Sequence, residues 1–216
     1  MVRFIIVRHG YSKSNEQGFF TGRTDVPLAD LGHLQALKTA EFIHADFSID
    51  AIYSSPLTRA KQTATPIAQK FSLPIFIEPD LAEIDGGEWE KKTTEQLLTF
   101  YKEEYTLWLT DIGTARCTGG ESMREVQARA LAAMRKIAKE NEGKTVLITT
   151  HAGVLRALQC ALQEIPLTEM KNVPWMPNAS CSFVRYDNEK FTADKLAYDE
   201  HLKQLKTDKR KTDRRN

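Results

Sequence analysis

The chain begins with an apolar run, Phe4 to Val7, that ends abruptly in Arg8, His9 and Gly10. The run predicts a buried strand, and α/β proteins keep their chemistry in the glycine-containing loops that follow such strands. Gly10 allows a sharp turn and a close approach of the backbone to a ligand. A histidine beside an arginine that keeps its charge suits a nucleophile facing a phosphate. Alone the tripeptide is a weak signal, because the same three residues also fit a strand end with a solvated arginine and a structural histidine.

Strand and helix patterns alternate along most of the chain. Strands are predicted over residues 2–7, 50–54, 73–77 and 144–150, and helices over 31–45, 55–71, 93–109, 121–140 and 153–163. Residues 180–186 and 191–196 predict a closing hairpin that turns at Asp187 and Asn188. The alternation indicates an α/β fold with a mostly parallel central sheet flanked by helices on both faces.

Two segments carry more specific predictions. Residues 11–27 are rich in Ser, Asn, Gly and Thr and predict a loop without a regular element. For the helix that follows, Asp30 is the predicted N-cap. Its apolar stripe is predicted to consist of Leu34, Leu37, Ala40, Phe42 and Ile43.

Composition is typical of a soluble globular protein, with 41% hydrophobic and 27% charged residues in 216. One domain is predicted over residues 1–202. The remaining stretch, 203–216, holds seven Lys or Arg and two Asp, a charge of +5 against −4 for the preceding part. A solvated, flexible tail is favoured over a nucleic-acid or membrane contact, because no aromatic residues are interleaved with the charges.

Cysteine usage indicates a cytoplasmic protein. Cys117, Cys160 and Cys181 are too few and too scattered for a disulfide framework or a zinc site, which predicts free thiols. No apolar stretch is long enough to cross a bilayer, and Met1 to Gly10 does not have the pattern of a secretory signal.

Three further segments supply chemistry at predicted strand ends. Arg59 falls in the first turn of a helix, where main-chain amides favour anions. His151 follows an apolar strand and precedes Gly153, which repeats the arrangement at the start of the chain. An acidic loop after the third strand offers Glu83, Asp85, Glu88 and Glu90 as candidates for a general acid.

The chain resembles the histidine phosphatase superfamily, also called phosphoglycerate mutase-like. The resemblance is carried in order by these segments: Arg8-His9-Gly10, Asn15, residues 22–28, Leu31-Gly32, residues 54–60, Glu83-Ile84-Asp85, residues 119–122, residues 150–154 and Asn178-Ala179-Ser180. The resemblance covers essentially everything except the tail.

The resemblance implies roles for specific residues. His9 would become transiently phosphorylated, while Arg8, Arg59 and a protonated His151 would hold the transferring phosphoryl group. Glu83 would act as acid and base. Other positions match those that contact the phosphate or the substrate, namely Asn15, Thr21, Gly22 and Ala152. No metal or other cofactor is implied, because the arginines supply the charge.

The resemblance also bears on the reaction. Mutases of the family carry a longer insertion between the acid-bearing loop and the Gly-Gly-Glu-Ser motif, whereas residues 93–109 here predict only a small helical cap. A reduced cap admits water, which favours hydrolysis of small phosphomonoesters through a phosphohistidine. Isomerisation of the mutase type is the alternative, and a non-catalytic relative that binds a partner is a third reading.

Substrate contacts and assembly stay open at this stage. Gly86 stands where related phosphatases carry an aromatic residue, which suggests a roomier or more mobile pocket wall. Four basic residues are possible contacts for an additional anionic group, although solvated surface positions are favoured for them: Lys91, Lys92, Lys102 and Arg116. The expected partner is a small phosphorylated metabolite, without nucleic acid or membrane, and a homodimer is possible.

Overall fold

The computed structural model describes residues 1–205. Six strands form one sheet: Val2–Arg8 (β1), Ala51–Ser54 (β2), Ile75–Ile77 (β3), Thr145–Thr150 (β4), Cys181–Asp187 (β5) and Lys190–Tyr198 (β6). Their order across the sheet is β3–β2–β4–β1–β5–β6. The strands β1 to β4 pair in parallel, whereas β5 and β6 are antiparallel additions. The predicted α/β fold with a mostly parallel sheet is confirmed.

The closing hairpin is present, with its turn one residue later than predicted. Asn188 and Glu189 both adopt positive φ, at 47° and 61°. Two consecutive residues of this kind make the tight turn whose twist matches that of the flanking antiparallel strands.

Seven α-helices surround the sheet in residues 1–205: Lys13–Gln17 (α1), Asp30–Asp46 (α2), Thr58–Phe71 (α3), Thr94–Phe100 (α4), Lys102–Thr110 (α5), Met123–Glu140 (α6) and Ala152–Leu162 (α7). Helices α2 and α3 cover one face, and α6 and α7 the other. The strand β1 shows why both faces need cover. Phe4 and Ile6 belong to the core under α6 and α7, whereas Ile5 and Val7 belong to the core under α2 and α3.

The predicted apolar stripe of α2 is partly wrong. Ala40 and Ile43 are buried as expected, but Leu34 and Leu37 are each 50% exposed. The helix turns a face of small residues inward instead, because its start lies against the loop after β1. A Cβ added to Gly32 would lie only 2.0 Å from the carbonyl oxygen of Tyr11. Asp30 is the first helical residue, and Ala29 occupies the N-cap position.

Two other segments differ from the sequence prediction. The predicted loop 11–27 contains helix α1, which Asn15 stabilises because its Oδ1 accepts hydrogen bonds from the amide and hydroxyl of Ser12, both at 2.9 Å. The single helix predicted over 93–109 is two helices, because the backbone at Tyr101 leaves helical geometry with φ −135°. These two helices, α4 and α5, are the predicted small cap.

Three further predictions concern the tail, the membrane and the cysteines. Of the predicted basic tail, residues 206–216 lie outside the described residues. Within the described part of the chain, no helix combines the length and apolar character that crossing a bilayer requires. Cys117, Cys160 and Cys181 are buried free thiols.

Candidate active site

The parallel strands bring the predicted chemical residues to one edge of the sheet. Arg8 ends β1 and His9 follows it, Arg59 lies in the first turn of α3 after β2, and His151 directly follows β4. Glu83 lies in the loop after β3. Because the carboxyl ends of parallel strands share an edge, residues far apart in sequence meet there. A cavity of about 260 Å³ opens at this edge, with Arg8, His9, Arg59 and Glu83 in its lining.

His9 is held in a defined orientation. It is 5% exposed, and its Nδ1 lies 2.7 Å from the carbonyl oxygen of Gly10. In neutral imidazole Nδ1 donates this hydrogen bond, which leaves the lone pair on Nε2. Burial, together with the positive charges of Arg59 and Arg8, holds the pKa of His9 well below its usual value. At neutral pH His9 is therefore uncharged, and the lone pair of its Nε2 takes part in no protein hydrogen bond among the described residues.

Two arginines stand beside His9. The guanidinium of Arg59 is fixed by carbonyl oxygens, since Nη1 donates to Thr24 at 2.9 Å and Nη2 to Gly22 at 2.8 Å. Arg8 donates from Nη1 to the carbonyl of Met176, while its buried Nε has no protein partner within residues 1–205. Burial lowers the pKa of Arg8 to about 10, partly opposed by Glu83. The arginine stays charged at neutral pH, and Nε remains a donor for an anion.

Glu90 fixes the loop whose carbonyl oxygens accept hydrogen bonds from Arg59. Oε1 of Glu90 accepts from the amide of Arg23 at 2.6 Å and from the amide of Gly86 at 3.2 Å. Oε2 accepts from the hydroxyl of Thr24. One carboxylate thus ties the loop around residues 22–24 to the loop at 86–90. This contact was not predicted, although Glu90 was among the acidic candidates.

His151 is fully buried, and its ring centroid lies 5.1 Å from that of His9. Its Nε2 is 2.6 Å from Oγ of Ser55, and its Nδ1 has no partner among the described residues. Burial and the nearby charge of Arg59 hold the pKa of His151 well below its usual value. These conditions favour a neutral His151 in the unliganded protein, and the protonated His151 expected during phosphoryl transfer stays a prediction.

Glu83 is held by main-chain amides on both carboxylate oxygens. Oε1 accepts from Ile84 at 3.0 Å, and Oε2 accepts from Gly153 at 3.1 Å. From outside, Arg129 of α6 donates to the carbonyl of Glu83 at 3.1 Å and to that of Ala82 at 2.7 Å. Glu83, the predicted acid, therefore lies on a loop that hydrogen bonds hold from both sides.

Other predicted positions also reach the cavity. Asn15, Thr21, Gly22 and Ala152 contribute to its lining. Asn15 has a second task, because its Oδ1 caps α1 and also lies 3.4 Å from Nδ2 of Asn178. The same Asn178 donates to the carbonyl of His9 at 3.1 Å. The loop before β5 thereby supports the loop after β1.

Sequence reasoning did not assign most of the apolar wall of the cavity. That wall is largely aromatic and apolar, and consists of Phe19, Phe20, Ile84, Trp108, Met123 and Trp175. The suggested roomy wall at Gly86 is wrong, because Phe20 fills the space. A Cβ on residue 86 would lie 2.8 Å from Cε1 of Phe20. No periodicity in the sequence marks Phe20, since its partner Trp89 lies on a different loop.

The basic residues considered for an additional anion lie elsewhere. Within residues 1–205 the cationic side chains that line the cavity are Arg8 and Arg59. Arg116 instead pairs with Glu125, and Lys92 lies over the ring of Tyr101. In the described part of the chain, no three His, Cys, Asp or Glu side chains are grouped in a way that could hold a metal ion.

The family model of the histidine phosphatase superfamily (branch 1) matches residues 4–199. The chain belongs to this superfamily. A member from Hydrogenobacter thermophilus, phosphoserine phosphatase 1, is 31% identical over 202 residues, which cover 94% of this chain and 95% of that protein.

Solved structures agree with this assignment. Bacillus stearothermophilus YhfR superposes with a TM-score of 0.89 at 29% identity, covering 94% of this histidine phosphatase and all of YhfR. A mutant phosphoserine phosphatase from Entamoeba histolytica in complex with phosphoserine superposes with a TM-score of 0.81 at 26% identity, over 94% and 100% of the two chains. Family and relatives support a hydrolase that acts on phosphomonoesters.

Proposed function

We propose that this histidine phosphatase hydrolyses small phosphomonoesters without a metal ion, through a phosphohistidine on Nε2 of His9. The observation that carries the proposal is the neutral His9, with Nδ1 engaged by the Gly10 carbonyl, between two arginines and an acid at one cavity. A nucleophile, two fixed cations and a proton donor are the parts that phosphoryl transfer needs.

In the first step Nε2 attacks phosphorus, and the bond to the ester oxygen breaks. The proton of Glu83 goes to the departing oxygen, so the product leaves as an alcohol. Charge on the equatorial oxygens is met by Arg8 and Arg59, whose guanidinium groups are already held by carbonyl oxygens. Ordering them before the reaction avoids a reorganisation cost during it.

In the second step water attacks the phosphohistidine. The carboxylate of Glu83 takes the water proton, the N–P bond breaks, and the electron pair returns to Nε2 of His9. Inorganic phosphate leaves and Glu83 is again protonated. His9 and Glu83 thus end the cycle as they began it.

The lining of the cavity favours hydrolysis over isomerisation. A mutase must hold a second anionic group while the phosphoryl group is on the histidine. Among the described residues, the cavity offers no cation for this beyond Arg8 and Arg59. Both arginines stand at the nucleophile and are occupied by the phosphoryl group.

Phosphoserine is the first substrate to test, because phosphoserine phosphatases are among the relatives. The cavity of about 260 Å³ suits a small ester of this kind. The polar side chains Ser14, Asn15 and Thr21 line it and can donate to a substrate carboxylate.

The deciding experiment measures phosphate release from a panel of phosphomonoesters with EDTA present. Wild type, His9→Ala and Glu83→Ala are compared with His33→Ala, which removes an exposed histidine of α2. We expect hydrolysis by wild type and His33→Ala, none by His9→Ala, and at least a hundredfold lower rate for Glu83→Ala. Isomerisation of 3-phosphoglycerate without hydrolysis would establish the mutase reading instead.

A further inference from the structure

Ser55 occupies a position that no part of the sequence resemblance assigned to catalysis. It follows β2 directly and is fully buried. Its Oγ accepts from the amide of Leu57 at 3.2 Å, which closes a local turn before α3. The same Oγ lies 2.6 Å from Nε2 of His151. These are its two partners in the described part of the chain.

The donor and the acceptor in the Ser55–His151 hydrogen bond follow from the other partners of the two groups. A serine hydroxyl carries one hydrogen and two lone pairs. The Leu57 amide uses one lone pair, and no carbonyl within residues 1–205 accepts the hydroxyl hydrogen. If that hydrogen goes to Nε2 of His151, both groups of this contact are paired, and only Nδ1–H of His151 stays without an acceptor among the described residues. If His151 donated instead, two groups, the buried hydroxyl hydrogen of Ser55 and the lone pair of Nδ1, would be left without a partner among the described residues.

The tautomer of His151 follows from this contact. A neutral imidazole carries one proton, so a ring that accepts at Nε2 carries its proton on Nδ1. Nδ1 is buried and has no protein partner in the described chain. Nδ1 is therefore the ring atom of His151 that stays available to a phosphoryl group on His9. The ring centroids of His151 and His9 are 5.1 Å apart.

We propose that Ser55 is a positioning residue that keeps His151 in its Nδ1–H tautomer, so that neutral His151 donates a hydrogen bond to the transferring phosphoryl group. This inference rests on the proposed function, since the donor matters only when a phosphoryl group is present. The reverse tautomer would turn a lone pair toward a phosphoryl oxygen and oppose binding. The contact thus supplies a donor without requiring a buried positive charge on His151.

Nitrogen-15 NMR of histidine-labelled protein tests the tautomer directly, because protonated and unprotonated ring nitrogens have distinct chemical shifts. His151→Gln identifies the His151 signals. We expect Nδ1–H in wild type, a shift toward Nε2–H in Ser55→Ala, and the wild-type pattern in Ser55→Thr. The matched control is Ser54→Ala, which removes a neighbouring buried hydroxyl that donates to the Ser55 carbonyl, and it should leave the tautomer unchanged.

Kinetics should follow the spectra. We expect kcat of Ser55→Ala to fall about tenfold or more, as when an orienting partner of a histidine is lost, with recovery in Ser55→Thr. An Nε2–H wild type, or unchanged kcat despite a changed tautomer, would overturn the inference. The wild-type spectrum alone decides the tautomer if a variant does not fold. Absence of any hydrolysis by wild type would instead overturn the proposed function.

Discussion

The amide of Gly153 donates to Oε2 of Glu83 at 3.1 Å, and a Cβ on residue 153 would lie 2.5 Å from Oε1 of the same carboxylate. Gly153→Ala must therefore displace Glu83. Because the contact is with the end of a side chain, we expect little loss of stability. Activity toward alkyl phosphates should fall at least tenfold, since the acid leaves its position.

A double-mutant cycle checks this explanation. In a Glu83→Ala background the carboxylate is gone, so the added methyl group meets no acid. Gly153→Ala should then cause little further loss of kcat, and the two effects should be strongly non-additive. Additive losses would show that the methyl group acts on something other than Glu83.

A second prediction concerns Arg129, which donates hydrogen bonds to the loop that carries Glu83. Its guanidinium bonds to both oxygens of Glu121, at 2.9 and 3.0 Å, as well as to the carbonyls around Glu83. Arg129→Met should loosen this loop. The effect should resemble weakened acid catalysis, about tenfold larger for an alkyl phosphate than for p-nitrophenyl phosphate, whose leaving group needs no proton.

The matched control for Arg129 is Arg124→Met on the same helix, where the side chain is exposed. It should leave both substrates unaffected. Initial rates for the two esters, taken under conditions where circular dichroism shows folded protein, provide the measurement. Equal losses on both esters would indicate general damage rather than a displaced acid.

The meeting of the proposed catalytic residues at one edge of the sheet could be predicted, because each is adjacent in sequence to the element that places it. His9 and His151 directly follow strands, and parallel strands deliver their ends to one edge whatever lies between them. The roles of Gly153 and Ser55 were not predicted, although both fall within the motifs. Each acts through one hydrogen bond to a residue some 70 to 96 positions away, and such contacts have no signature along the chain.

The apolar stripe of α2 shows a different limit. Periodicity marks Leu34 and Leu37 as well as Ala40, and only the packing decides between the overlapping faces. The close approach of Gly32 to Tyr11 sets the position of this helix, which leaves the leucines at the surface. The wall built by Phe20 and Trp108 is likewise tertiary, because two loops and the cap meet there.

Glu90 gives a third prediction, about substrate binding. It ties down the loop whose carbonyls hold Arg59. Glu90→Gln replaces one acceptor oxygen by a donor and should release part of this loop. Because the proposed function has Arg59 bind the phosphoryl group before and during the reaction, we expect KM to rise about tenfold with a smaller change in kcat. Glu103→Gln, at an exposed position, serves as the control. An unchanged KM for Glu90→Gln would contradict this role of Glu90.

The buried histidines give a fourth prediction, about stability against pH. Burial, together with the charge of Arg59, lowers the pKa of both His9 and His151 in the folded protein, whereas unfolded histidine titrates near pH 6.5. Above pH 6.5 both histidines are neutral in the folded and in the unfolded protein. Below it the unfolded state takes up protons that the folded state does not, so stability is lost as pH falls, by up to about 2.7 kcal/mol per pH unit for the pair.

The stability prediction is measured by urea unfolding at pH 7.5, 6.5 and 5.5. His9→Gln removes one of the two sites and should reduce the slope of unfolding free energy against pH by about 1.4 kcal/mol per unit below pH 6.5. His33→Gln, at an exposed position on α2, should leave the slope unchanged. Equal slopes for wild type and His9→Gln would mean that folded His9 takes up its proton as readily as unfolded histidine. The nucleophile would then be lost at mildly acidic pH, and kcat/KM would fall through pH 6.5 as well.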